Sequence, residues 1–586
     1  MKQERQLMLG NEAVARGLYQ SGCRVVSSYP GTPSTEITEY ASGYPEVYTE
    51  WAPNEKVAYE VAMGASIGGA RAFCAMKHVG LNVAADPLFT TSYTGVGGGM
   101  VIGVADDPGM HSSQNEQDSR HYAVAAKLPM VEPADSQECL NYLDAAFALS
   151  EEYDTPVLLR LSTRISHSQS LVSLAPRREV PLLDYQKNPQ KYVMMPAYAR
   201  PRHLVVEERT RRLRRLSETS PLNRVEPGED RSMGIITSGI CYQYVKEALP
   251  GVPVLKLGLV NPLPHRLIRD FAAAVDRLVV VEELDPVIET HCKAMGLAVE
   301  GKSLFGYIGE LSQNLIREKL LGQDPLPAPV YPDPTPARPP VLCPGCPHRA
   351  VFYTLGKLKA VVFGDIGCYT LGANPPLGAM DTTLCMGASI SGLHGYNKAR
   401  GPQAAKGAVA VIGDSTFAHS GITGLIDTVY NGGASTILVL DNSITGMTGH
   451  QHNPTTGYDI HGNPAPQLSI EAVCRAVGVG RVTIADPADL PGLERTLREE
   501  MAAEETSVVI VRGPCILLKG VEKKPPVRVE EDRCIGCRAC MRIGCPAIHY
   551  SQETKKARID PTLCVGCGQC VGLCPTGAIG EVSANV

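Results

Sequence analysis

Short apolar runs alternate with helix-like stretches through most of the chain. The runs CRVVSSYP (23–30), RAFCAMKHVG (71–80), GGGMVIGVAD (97–106) and TPVLLRLS (155–162) have strand length, and many end in Gly or Pro. Between them lie stretches such as NEKVAYEVAMGASIGGA (54–70), whose apolar spacing suits a helix. Strand–helix alternation of this kind predicts βαβ units and a parallel sheet over residues 1–180. The strand signal fades over 181–230, where the basic run RTRRLRRLSETS predicts a linker that carries a charged, solvated helix. Alternation returns in GIITSGICYQYVKEAL, VPVLKLGLVNPLP and DRLVVVEELDPVIE, enough for one small α/β domain at 231–325. Proline-dense residues 326–340 read as a semi-rigid linker. Beyond it, KAVVFGDIG, GAVAVIGDS, STILVLDNS and TSVVIVRGP predict buried parallel strands of another α/β domain at 341–522. Residues 523–586 are short-looped and cysteine-dense, too small for a large apolar core.

Composition narrows the classes. With 44% hydrophobic and 20% charged residues the chain has the balance of a soluble globular protein. A net charge of −6 offers no basic footprint for a phosphate backbone, which argues against nucleic acid as a partner. The opening MKQERQLMLGNEAVARG lacks the order of a secretory signal, and no stretch approaches the roughly 18 apolar residues of a membrane span. A cytoplasmic protein without membrane contact is expected. The 19 cysteines, many in CxxC spacing, are then expected to hold metal rather than form disulfides.

The tail carries two such runs, Cys534-x₂-Cys537-x₂-Cys540-x₄-Cys545-Pro546 and Cys564-x₂-Cys567-x₂-Cys570-x₃-Cys574-Pro575. The second has the spacing of bacterial two-cluster ferredoxins, in which the fourth cysteine ligates the other cluster. By that crossed rule Cys534, Cys537, Cys540 and Cys574 hold one [4Fe–4S] cluster, and Cys564, Cys567, Cys570 and Cys545 the other. CxxC also suits structural zinc, but two repeated runs ending in Cys-Pro favour clusters.

GAVAVIGDSTFAHSGITGLIDTVYNGGASTILVLDNSITG reads as strand, loop, helix, strand, so Asp414 and Asn442 fall at the carboxyl ends of two parallel strands. Ligands bind there in open α/β sheets. Asp414, Asn442 and the carbonyl of Ile444 could supply oxygens to Mg²⁺, although Asp or Asn after a strand is also a common helix cap.

Taken in order, YPGTPSTE, NEKVAYEVAMGAS, MKHVGLNVAADPLF, CPGCPHRA, GDIGCYTLG, GDSTFAHSGITGL and DNSITGMTGHQHNP resemble the alpha subunits of indolepyruvate:ferredoxin oxidoreductases, in the pyruvate:ferredoxin oxidoreductase superfamily. The likeness covers nearly the whole chain. It implies two doubly wound parallel-sheet domains that bind thiamine diphosphate, the small α/β domain between them, and a C-terminal two-cluster ferredoxin-like α+β domain. It implies thiamine diphosphate, Mg²⁺ and [4Fe–4S] clusters as cofactors. Implied too are a smaller beta subunit in an alpha2beta2 assembly, ferredoxin as acceptor, and coenzyme A with a 2-oxoacid as substrates. The reaction implied is oxidative decarboxylation of aryl pyruvates to aryl-acetyl-CoA; aliphatic 2-oxoacids, or an electron-carrier subunit without thiamine chemistry, are the alternatives.

Residue by residue, Glu55 matches the glutamate that hydrogen-bonds the pyrimidine ring nitrogen and favours the tautomer able to take up a proton. As a first-turn acid behind Asn54 it also suits a helix start. Thr32, with Tyr29 beside it, matches a threonine that meets substrate or cofactor. The arginine that other members place on the substrate carboxylate has no counterpart, and Lys77 and His78 are the substitutes. The cofactor-binding set extends to Gly367, Cys385, Met386 and Gly387, to Gly413, Ser415, Thr416 and His419, and to Gly446, Met447 and Thr448. Ser415 stands where glycine is usual, which is expected to loosen the fit of the diphosphate loop. A third [4Fe–4S] cluster is expected on Cys343, Cys346, Cys368 and Cys515, all at loop or strand ends of one domain. Cys385 is close enough in sequence to replace one of them.

Overall fold

A computed structural model describes residues 4–325 and 339–581, so the proline-rich linker lies outside the described residues but for its last two positions. The chain forms two compact units, Met1–Pro332 and Asp333–Val586.

In the first unit seven strands line up in the order Leu259–Asn261, Met130–Val131, Val157–Ser162, Met100–Asp106, Ala72–Lys77, Val25–Ser28 and Tyr48–Trp51. Six are parallel, and Leu259–Asn261 runs antiparallel at one edge. Successive side chains of a strand point to opposite faces, and here both faces are buried. Phe73, Ala75, Val101 and Leu159 pack on one side, whereas Cys74, Met76, Ile102 and Leu158 pack on the other. That is why these strands read as unbroken apolar runs.

A second sheet in this unit orders Leu278–Val281, Gly234–Ser238, Val254–Leu257 and Arg224–Glu226. Ile236, Leu255 and Val280 on one of its faces join the same apolar cluster as the larger sheet. VPVLKLGLVNPLP, one run in the sequence, is therefore two strands: 254–257 stays in the small sheet and 259–261 crosses to the large one. The break is at Gly258, where a Cβ would come within 2.4 Å of the Tyr142 hydroxyl and 2.5 Å of Leu222 O.

The segment read as a linker is largely structured. It holds the helix Pro196–Ser217 and the strand Arg224–Glu226. The helix buries Val206, Arg209 and Leu213. Arg209 donates to Ser92 O at 2.6 Å and to Asp154 O at 2.9 Å, so the basic run is anchored on one side and solvated on the other.

In the second unit a six-stranded parallel sheet orders Thr382–Thr383, Val361–Gly364, Ala408–Gly413, Thr436–Asp441, Ser507–Arg512 and Arg481–Ala485. Val409, Val411, Leu438 and Val509 face one layer of helices, and Ala410, Ile412, Val439 and Ile510 the other. The tail adds two antiparallel strand pairs, Val527–Val529 with Ile579–Glu581 and Ile548–Tyr550 with Ala557–Ile559. Its core is little more than Val527, Ile543, Ile548, Ala557 and Ile579 beside Cys540 and Cys570. A core that small needs a further staple.

Candidate active site

Several candidates of the second unit stand at the carboxyl end of its parallel sheet. Asp414 follows Ala408–Gly413, Asn442 follows Thr436–Asp441, Cys515 follows Ser507–Arg512, and Gly367 and Cys368 follow Val361–Gly364. Asp414 is buried; its oxygens accept from Ser415 N at 2.8 Å and Thr455 Oγ1 at 3.3 Å. Burial, with Asp441 close by, pushes its pKa up to about 7.

The Asn442 amide oxygen faces only acceptors, Ile444 O and Asp414 Oδ1; with its nitrogen turned there it would donate to them at 2.9 and 3.2 Å. Oxygens at right angles on Mg²⁺, each about 2.1 Å from the ion, lie about 3 Å apart. One carboxylate, one amide and one carbonyl oxygen at that spacing, with a buried charge to compensate, fit the ion.

The surrounding loops are tied together. Ser415 Oγ accepts from Thr445 Oγ1 at 3.0 Å, and Asn453 Nδ2 donates to Thr445 Oγ1 at 3.2 Å. Ser415 thus fastens the two loops to each other. Thr416 donates to Ile366 O at 3.1 Å, and the Tyr369 hydroxyl lies 3.3 Å from Thr416 Oγ1. Gly413 admits that ring, since a Cβ there would stand 2.7 Å from it. His419 Nδ1 sits 2.9 Å from Ser420 Oγ, which donates to Met386 O at 2.8 Å. Gly446 lies between Asn442 and Cys368, its Cβ position 3.7 Å from Asn442 Nδ2 and 3.4 Å from Cys368 Sγ. Of the remaining two, Thr448 bonds Gln451 and Met447 is half exposed.

Sequence reasoning missed Asp365. It is buried and accepts from Gly387 N at 2.9 Å and Ser389 N at 3.1 Å, pinning the start of the helix Ala388–Arg400. Its signal was a second Gly-Asp pair after a strand, GDIG beside GDST. Thr455, which holds Asp414, had none.

Twelve of the 19 cysteines fall into three quartets. Cys534, Cys537, Cys540 and Cys574 line one small cavity with Val529, Ala557 and Ile579. Burial pushes Cys570 up to about 12, and Cys567, Cys545 and Cys564 add to it. Burial likewise pushes Cys346 up to about 12 and Cys368 to about 11; Cys343 and Cys368 add to the first, Cys515 and Cys343 to the second. Cys385 is exposed, and its acting neighbour is Asp365 rather than this quartet. Among the described residues no three or more His, Cys, Asp or Glu side chains close on a single-ion site. Thiols crowded enough to oppose one another's ionisation are the residue type that iron–sulfur clusters take as ligands. Cys515 N donates to Asn442 O at 3.0 Å, joining the quartet of Cys343, Cys346, Cys368 and Cys515 to the loop of Asn442 and Ile444.

In the first unit, Glu55 is buried and opens the helix Glu55–Ile67, behind Asn54, whose side chain accepts from Val57 N at 2.9 Å. Its carboxyl packs on Gly80, where a Cβ would come within 2.6 Å of Oε1. The loop with Tyr29 and Thr32 follows Val25–Ser28 and reaches Lys77, 3.2 Å from a Cβ on Gly31. Glu55, Thr32, Lys77 and His78 thus share the carboxyl end of that sheet. Lys77 is engaged with Ser112 O, and burial lowers its pKa to about 8. His78 Nε2 lies 3.2 Å from Asn115 O, and its buried Nδ1 has no hydrogen-bond partner among the described residues.

Three family models match: pyruvate flavodoxin/ferredoxin oxidoreductase, thiamine diphosphate-binding, over 16–218; the C-terminal domain of thiamine pyrophosphate enzymes over 365–511; and a 4Fe–4S dicluster domain over 523–578. Indolepyruvate oxidoreductase subunit IorA of Pyrococcus horikoshii is 41% identical over 99% of this chain and 97% of its own. That of Archaeoglobus fulgidus is 41% identical over 99% and 98%, and that of Methanothermobacter marburgensis 42% identical over 98% and 97%. Similarity of that degree along both partners' full length places this chain in the family of indolepyruvate oxidoreductase IorA subunits.

Proposed function

We propose that the chain is the catalytic subunit of a ferredoxin-dependent 2-oxoacid oxidoreductase acting on aryl pyruvates, with coenzyme A as acyl acceptor. The observation that supports this is the bond between Cys515 N and Asn442 O, which ties a member of one cysteine quartet to a proposed Mg²⁺ ligand. Thiamine diphosphate, when bound, supplies a nucleophilic carbon and an electron sink for the decarboxylated substrate. A quartet adjoining such a site serves an oxidative fate, because it gives the electrons an exit.

Asp414, Asn442 and the Ile444 carbonyl would hold Mg²⁺ and through it the diphosphate. Glu55, already desolvated, would hold a proton at the pyrimidine ring nitrogen. Cys343, Cys346, Cys368 and Cys515 would hold the cluster nearest the chemistry, and the two tail quartets the clusters that pass electrons to ferredoxin. A smaller beta subunit, in an alpha2beta2 assembly, belongs to this reading. Among the described residues no helix is long and apolar enough to cross a membrane.

The test is a panel of 2-oxoacids with viologen reduction, on anaerobically purified protein with its beta subunit. Indolepyruvate and phenylpyruvate should be turned over with the highest kcat/KM. Preference for pyruvate, 2-oxoglutarate or a branched-chain acid would reassign the substrate, and absence of bound thiamine diphosphate would reduce the chain to an electron carrier.

A further inference from the structure

Arg349 is the second residue of the helix His348–Leu358, directly after the Cys343-Pro-Gly-Cys346 loop, and is 2% exposed. Among the described residues no carboxylate pairs with it. Its guanidinium donates only to main-chain carbonyls: Nε to Cys343 O at 3.0 Å, Nη2 to Leu342 O, and Nη1 to Gly544 O and to Ile543 O at 3.4 Å. One side chain therefore grips the loop before Cys346 and the loop before Cys545.

Burial lowers the pKa of Arg349, and the groups that act against this most are the thiols of Cys545, Cys346, Cys343 and Cys567, two from each of two quartets. Those quartets adjoin. A Cβ on Gly345 would lie 2.3 Å from Val565 Cγ2 and 3.7 Å from Cys567 Cβ, and Gln569 Nε2 donates to Cys346 O at 3.2 Å.

Burying a guanidinium without an anion is unfavourable, because the charge loses its hydration and gains no opposite charge. Carbonyl dipoles satisfy its hydrogen bonds and leave its charge uncompensated. Four thiolates on a [4Fe–4S] core leave a net negative charge, and each one-electron reduction adds another.

We propose that Arg349 is a positioning residue for electron transfer: one fixed positive charge shared by the cluster on Cys343, Cys346, Cys368 and Cys515 and the cluster on Cys564, Cys567, Cys570 and Cys545, favouring the reduced state of both while locking their loops together. The proposal rests on the reading of both quartets as cluster sites. Gly544, at φ +70, allows the approach, since a Cβ there would stand 3.2 Å from Nη1. The quartet on Cys534, Cys537, Cys540 and Cys574 lacks this neighbour and is an internal control.

The test compares wild type, Arg349→Gln and Arg349→Lys, purified anaerobically with the beta subunit, by iron content and by redox titration followed by electron paramagnetic resonance. Arg349→Gln should keep its iron, while the reduction equilibrium of the two flanking clusters falls about tenfold, or about 59 mV each. The cluster on Cys534, Cys537, Cys540 and Cys574 should not move, and Arg349→Lys should stay within threefold of wild type. Full iron with unmoved potentials in Arg349→Gln overturns the proposal, as does an equal shift in Arg349→Lys, where the charge is kept. If Arg349→Gln loses iron, Arg349→Lys decides: wild-type iron and potentials support the proposal, and loss of iron there too overturns it by assigning Arg349 to assembly alone. Wild-type protein with about eight irons rather than about twelve overturns the underlying reading instead, and the two failures are distinct.

Discussion

Two carboxylates, one in each unit, have different parts in the proposed chemistry, and substitution should separate them. Glu55 is buried in the first unit against Gly80, far in sequence from the Mg²⁺ loops. Glu55→Gln keeps the shape and removes the acid, so thiamine diphosphate content should stay near wild type while kcat falls at least about 100-fold, the usual scale of a lost acid–base group. Near-normal turnover would remove Glu55 from the chemistry. Asp414→Ala should instead release cofactor. The raised pKa of Asp414 gives a finer test. Its carboxyl holds a proton up to about pH 7, so the free protein loses stability as pH rises from about 4 to about 7, and Mg²⁺ must displace that proton to bind. Binding of Mg²⁺ with thiamine diphosphate should tighten from pH 6 to pH 8 and release close to one proton near pH 6. Calorimetry in buffers of different ionisation enthalpy measures this. Asp441→Asn removes the neighbouring charge, so the proton release should diminish; an unchanged release would mean that another group supplies it.

At the scale of an element, the helix Ala388–Arg400 offers opposite outcomes from the same substitution. Gly395 is exposed, and no atom lies within 4 Å of its Cβ position. Gly395→Ala should stabilise by about 0.5–1 kcal/mol, since alanine loses less freedom on folding. Gly387, at φ +85, would place a Cβ 2.3 Å from Ser420 Oγ, and its N–H is one of those held by Asp365. Gly387→Ala should cost about 1–3 kcal/mol and weaken cofactor binding, read by thermal unfolding with and without thiamine diphosphate. The same elements mark what was legible in the sequence. Strands such as 408–413 and 436–441 were, because burial on both faces forces continuous apolar runs ending at a polar loop. The split at Gly258 was not, because its two halves are equally apolar and only the Tyr142 hydroxyl and Leu222 O reveal why the chain must turn. Asp414 and Asn442 were legible from position after a strand. Asp365 and Thr455 were not singled out, because their work is to hold main-chain groups and other ligands, which leaves no fixed spacing.

Across the molecule, long-range charge pairing is the least legible feature, and in the first unit it binds the two sheets into one body. Arg120 is 1% exposed and reaches Asp118 Oδ2 at 2.6 Å, Glu282 Oε2 at 2.5 Å, Glu283 O at 3.0 Å and Asp285 O at 2.9 Å. Glu282 also accepts from Ile288 N at 3.0 Å and Glu289 N at 2.9 Å. Arg160 joins Asp106 at 2.7 Å and Glu132 in the same buried region. Four carboxyls thus face two guanidiniums, and burial drives the Asp106 pKa up. Nothing in the sequence pairs residue 120 with residue 282, since each reads alone as a surface charge beside a strand. Removing one partner of a buried ion pair is expensive because the other stays desolvated, at about 3–5 kcal/mol. Arg120→Met should therefore lower the urea midpoint of the first unit sharply. Arg120→Lys should recover only part of the loss, because an ammonium cannot span Asp118, Glu282 and two carbonyls at once. Neutralising the acids as well, in Arg120→Met with Asp118→Asn and Glu282→Gln, should return much of the stability. If Arg120→Met alone unfolds at the wild-type midpoint, the strand Leu259–Asn261 and the shared apolar cluster suffice to join the sheets, and the charge network contributes little to that union.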